Sequence, residues 1–175
     1  MKPNEKGFTI IELTIAIAII GLIASGATMG ISQVIKGTER SNEHLTAVRQ
    51  VHNAGYWISH DAQMAQSVEL DETEDTGFPL TLTWSNWNSE DTHQIVYTLE
   101  DMPGSELKQL QRNHSINGGA NEATFVAQYI DPDPIKTKCE FADDALVFTV
   151  TATVSLGSQV KSETRLYKVV PRPSL

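Results

Sequence analysis

Side chains able to do chemistry are scattered along this sequence. Its histidines are His44, His52, His60, His93 and His114, and Cys139 is its only cysteine. His52 and His60 stand two helical turns apart, on roughly one face of a helix. No H-E-x-x-H and no Cys/His cluster accompanies them. They read as solvated helix histidines, and no metal ligand or cofactor is assigned. Nor is there a G-x-S-x-G, Walker A or G-x-G-x-x-G signature, or a nucleophile–base pair, so no catalysis is expected. Asp71, Glu72, Glu74 and Asp75 gather hard oxygens, but not at EF-hand spacing, and read as a solvated acidic loop. Trp84 fits the core face of a strand better than an exposed patch with Trp87. Asn113-His114-Ser115 fits a glycosylation pattern that short sequences match by chance. Cys139 reads as a half-buried small apolar residue, because one cysteine cannot close an internal disulfide.

One carboxylate is set apart by its surroundings. Glu12 lies inside the apolar run from Phe8 to Ala24, and no residue from Leu13 to Ile35 carries a charge. As a helix those uncharged residues cover about 34 Å, enough for a ~30 Å hydrocarbon core. An ionised side chain inside such a helix costs roughly 2.5–3.5 kcal/mol on insertion scales. Glu12 therefore either reaches the headgroup interface or has a partner.

Gly7-Phe8-Thr9-Ile10-Ile11-Glu12-Leu13 resembles the processing signal of type IV pilins and of the pseudopilins of type II secretion and competence. The resemblance covers residues 2–31, including Gly21. It implies that a prepilin peptidase cuts between Gly7 and Phe8 and methylates the new Phe8 amine. It also implies that Glu12 serves assembly. Cleavage would leave a protonated amine on Phe8 at membrane depth with Glu12 as the acid nearby. Paired with that amine on a staggered neighbour, Glu12 would set axial register, because an unpaired charge there is expensive.

Lys2, Lys6 and Glu5 precede the apolar run. This leader is too short for an ordinary secretory signal and lacks its small-residue cleavage site. The lysines favour a cytoplasmic amino terminus, with the globular part outside. The 175 residues carry 13 basic and 22 acidic side chains, a net charge of −9. Without the leader those counts fall to 11 and 21. Such a balance argues against nucleic acid as a partner.

The expected organisation is a leader over 1–7, a transmembrane or filament-core helix over 8–35, an amphipathic helical half over 36–69, and a β domain over 70–175. Ile31, Val34, Ile35, Thr38, Asn42, Leu45, Val48, Val51, Gly55, Ile58 and Ala62 recur at helical spacing. Lys36, Arg40, Glu43, Arg49, Gln50 and Asp61 fall on the opposite face. One helix is thus predicted from about Phe8 to about Val68. Strands are predicted at 80–84, 93–99, 106–112, 123–130, 146–156 and 160–170. Turns are expected at 88–91, 101–104, 114–119 and Gly157-Ser158. The fold class is α+β: one long N-terminal helix laid on an antiparallel sheet, pilin-like.

Ile95-Val96-Tyr97-x-Leu99, Leu107–Arg112, Val126–Ile130 and the final hairpin ending near Pro171-Arg172 loosely resemble the J-type minor pseudopilin and its competence relatives. The chain lacks the C-terminal cysteine pair of many pilins. It also has Met29 where major pilins often carry proline. The family implies a structural subunit of a bacterial inner-membrane filament. Its partners would be prepilin peptidase, other pilin or pseudopilin subunits, an assembly platform and an assembly ATPase. A major or adhesive pilin is the alternative within the family. Outside it stands a single-span anchored domain that binds a ligand.

Overall fold

A computed structural model describes residues 7, 9–71, 73–86, 91–155 and 160–172. The chain separates into two compact units, Met1–Ser41 and Asn42–Leu175. Helix α1, Ile10–Met64, contributes to both. In the first unit every described residue is exposed.

In the second unit the rest of α1 packs on one antiparallel sheet. Its strands are β1 (Ser67–Leu70), β2 (Leu80–Ser85), β3 (Thr92–Asp101), β4 (Lys108–Ile116), β5 (Glu122–Ile130), β6 (Lys138–Ala142), β7 (Ala145–Ser155) and β8 (Val160–Val169). The order is β1-β2-β3-β4-β5-β7-β6, with β8 paired to β7. The predicted fold class is the one found. The core joins Ala47, Val51, Ala54, Ile58 and Ala62 of α1 to Leu82, Ile95, Tyr97, Leu110, Ile130 and Phe148 of the sheet. Those helix positions recur at steps of three and four, so one stripe faces the strands.

That stripe shares Val51, Gly55, Ile58 and Ala62 with the predicted one and differs from it elsewhere. Leu45 is 48% exposed, whereas Glu43 and Asp61, expected on the solvated face, are each 2% exposed. Hydrophobicity alone placed them outside; Asp61 is inside because the sheet supplies it with donors, described below. Ile31, Val34 and Ile35 are exposed.

Helix α1 also stops earlier than expected. Ala65 O accepts from Arg172 N at 3.0 Å, and Gln66 N donates to Thr83 O at 2.8 Å. Ser67–Leu70 is then drawn into pairing with β2. Tertiary hydrogen bonding thus ends the helix short of its expected limit at Val68. His114–Ile116, expected in a turn, extends β4, and the turn begins at Asn117 with φ 52°.

Strand β6 was not foreseen. It forms a two-residue hairpin with β7 through Asp143 and Asp144, whose φ values are 52° and 58°. Aspartate tolerates this left-handed geometry, which the hairpin's twist requires. In β5, Tyr129 has φ 60° beside a register shift against β4, and Ile130 pairs with Ala152 of β7. The bulge bends β5 from one neighbour to the other. The expected turns at residues 88–90 and Gly157-Ser158 lie outside the described residues, as does Trp87.

Candidate functional site

Thr9 stands immediately before α1 and Glu12 in its first turn. Thr9 N and Thr9 Oγ1 each donate to Glu12 Oε2 at 2.9 Å, and Glu12 N donates back to Thr9 Oγ1 at 3.3 Å. This is a reciprocal capping box, which satisfies amides that a helix start leaves free. The T-x-x-E pattern was legible in the sequence, although Glu12 was weighed there only as an interface or assembly residue. Gly7 is exposed and precedes the helix; Phe8 lies outside the described residues, as do Lys2, Glu5 and Lys6.

Beyond the cap the helix carries hydroxyls in an otherwise apolar stretch. Thr14 Oγ1 donates to Ile11 O at 2.9 Å, Ser25 Oγ to Gly21 O at 2.9 Å, and Thr28 Oγ1 to Ala24 O at 2.8 Å. Each polar group is answered within its own helix, which hydrocarbon surroundings demand. Ile10 is 82% and Leu22 74% exposed. By length and composition α1 can cross a membrane.

With that geometry in view, residues 2–28 match the family model of the prokaryotic N-terminal methylation motif. That match supports a type IV prepilin-like protein. No curated protein and no solved structure matches it. Such a motif, continued by the apolar helix, fits a membrane-anchored, single-pass protein.

The prepilin-like chain fastens the far part of α1 to its sheet with a buried charge. Asp61 Oδ2 accepts from Tyr97 Oη at 2.5 Å and from Arg112 Nε at 2.7 Å; Asp61 Oδ1 accepts from Arg112 Nη2 at 3.2 Å. His60 Nδ1 lies 3.2 Å from Asp61 Oδ1. The Arg112 guanidinium sits over the Trp57 ring, 5.1 Å from its centroid. Burial and then the Asp61 charge push the Tyr97 hydroxyl well above its ordinary pKa, so it donates only. Burial opposes the Arg112 charge, but hydrogen bonding and attraction to Asp61 outweigh it and raise its pKa. A lone aspartate in a helical pattern gave no sign of this partner 51 residues away.

At two glycines of this unit a side chain would not fit. A Cβ on Gly55 would overlap the Tyr167 ring, whose hydroxyl donates to Val51 O at 3.2 Å. A Cβ on Gly77, where φ is 70°, would overlap Cys139 O. Cys139, expected half-buried, is 4% exposed, and burial pushes its thiol pKa well up. Asn113 lies within β4 and donates to Gln111 Oε1 at 3.2 Å. Among the described residues no group of three His, Cys, Asp or Glu side chains is gathered as a metal site.

Proposed function

We propose that this chain is a minor pilin or pseudopilin, a structural subunit of a type IV pilus-like filament or of a type II secretion or competence pseudopilus. The observation that carries the reading is the methylation motif at residues 2–28 running into a long apolar helix with every described residue exposed up to Asn42. Prepilin peptidase cuts between Gly7 and Phe8, ahead of the first helical residue, and methylates Phe8. Residues 8–35 anchor the precursor in the inner membrane, with the sheet domain outside the cytoplasm, and later form the filament core.

Glu12 then has two duties. Its carboxylate caps its own helix through Thr9, and it retains acceptor capacity for the Phe8 amine of a staggered neighbour. Catalysis belongs to the peptidase and to the assembly ATPase working through its membrane platform. The lone cysteine and the β order support the pseudopilin or minor-subunit reading.

Quantitative mass spectrometry of purified filaments tests this. A minor subunit is present at a small fraction of the main subunit, and Glu12→Ala removes it from the filament while leaving it in the membrane. Dominance by copy number favours the major pilin; absence from every filament fraction favours the anchored ligand-binding domain.

A further inference from the structure

The connection from β4 to β5 holds the chain's only Asn-Gly pair, Asn117-Gly118. Their φ values are 52° and 67°, and Gly119 N donates to Ile116 O at 2.9 Å, as in a type I′ turn with this pair at its centre. Asn117 ties the turn to the start of β3 through both its main chain and its side chain. Asn117 N donates to Thr92 O at 2.8 Å. Asn117 Oδ1 accepts from Thr92 N at 2.8 Å, and Asn117 Nδ2 donates to Asp91 Oδ1 at 2.8 Å. Asn117 and Gly118 are exposed, so water reaches them.

An asparagine followed by glycine carries its own electrophile and nucleophile. The Gly118 nitrogen can attack Asn117 Cγ, because no Cβ on Gly118 shields it. The N–Cγ bond forms and the Cγ–Nδ2 bond breaks. Nδ2 leaves as ammonia, taking up the proton that the Gly118 amide gives away. Water then opens the cyclic imide at either carbonyl, leaving isoaspartate or aspartate. The attack requires the carboxamide to swing back towards Gly118. In the folded turn Thr92 and Asp91 engage both of its ends, so the swing must break two hydrogen bonds. The product cannot remake the tie. Its Nδ2 donor is gone, and a new carboxylate faces the Asp91 carboxylate.

We propose that Asn117 is a self-modification site, held closed by Asp91 and Thr92 and opened when the turn parts from the start of β3. The reaction needs only water, and it runs one way. Modified chains therefore accumulate with the time the turn spends open, and each of them has lost the bond to Asp91. An asparagine that served only to shape the turn would convert no more slowly in the folded chain than in the unfolded one.

The test uses the full-length chain in detergent micelles, incubated at mildly alkaline pH for days, folded and in denaturant. Peptide mass spectrometry follows the exchange of NH2 for OH at Asn117, and isoaspartyl methyltransferase labelling identifies the isoaspartate product. Conversion is expected in denaturant and should be about 10-fold or more slower in the folded chain. Asp91→Ala, which removes the acceptor of Nδ2, should speed conversion of the folded chain and leave the rate in denaturant unchanged. Asn117→Gln should show no such mass gain. In Asn117→Asp, the amides of residues 92 and 117 should exchange with solvent faster than in the parent. Equal rates in folded and denatured parent, faster conversion when folded, or no conversion in denaturant overturns the proposal. So does a folded Asp91→Ala chain that converts at the parent's rate. Should Asp91→Ala fail to fold, the ratio of the two rates in the parent decides the matter.

Discussion

At the residue scale, Glu12 and Asp61 are two carboxylates held in different ways. Glu12 is exposed and bonded within one turn of helix; Asp61 is 2% exposed and bonded to the sheet. Thr9→Val removes the cap while leaving the Glu12 charge. It should destabilise the start of α1 by about 0.5–2 kcal/mol yet preserve entry into filaments, whereas Glu12→Ala should abolish entry. Equal incorporation of both variants, measured against membrane levels, would leave Glu12 with the cap as its sole role. Asp61→Asn keeps the shape and leaves Arg112 buried without its counter-charge. It should cost about 3–5 kcal/mol in thermal unfolding of the globular unit. Gly55→Ala should cost about 1–3 kcal/mol because the Tyr167 ring must move off α1. His114 gives a pH dependence. Its folded pKa is depressed, so the unfolded chain takes up the proton more readily. The stability it contributes is present above about pH 6.5 and declines as pH falls through its folded pKa. His114→Gln should flatten that part of the curve, as read by denaturant titration.

At the scale of elements, the long helix and most strands were legible because their apolar residues recur at periods of 3.6 and 2. Leu146, Phe148, Val150, Ala152 and Val154 alternate in β7 and are all buried. The parts that escaped depend on tertiary partners. Strand β1 exists because β2 pairs with it, and β6 turns on two aspartates where a glycine pair would have been read more readily. The helix stripe was placed only in part: Val51, Gly55, Ile58 and Ala62 were legible, whereas Ala47 and Ala54 carry little hydrophobic signal. Glu43 is an unusual member of that stripe: its Oε2 is buried without a hydrogen-bond partner. An unanswered buried oxygen costs roughly 1–3 kcal/mol. Glu43→Met should therefore raise the melting temperature of the globular unit, as followed by circular dichroism, and a lowered value would mean that the carboxylate is satisfied.

At the scale of the whole molecule, a short motif and a long helix carry the functional reading. The motif was legible because it sets particular residue types at particular places: Gly7, Phe8 and Glu12 fall within six positions. The hydrogen bond between His93 Nδ1 and His114 Nε2, 3.1 Å long, was not legible. It depends on a strand register that brings together residues 21 apart. The central claim is that the chain is made as a prepilin, and the mass of its N-terminal peptide after co-expression with a prepilin peptidase tests it most directly. The account predicts a peptide beginning at methylated Phe8, absent when Gly7→Val is expressed in its place. An intact Met1 terminus, under conditions that process a known prepilin, would contradict it.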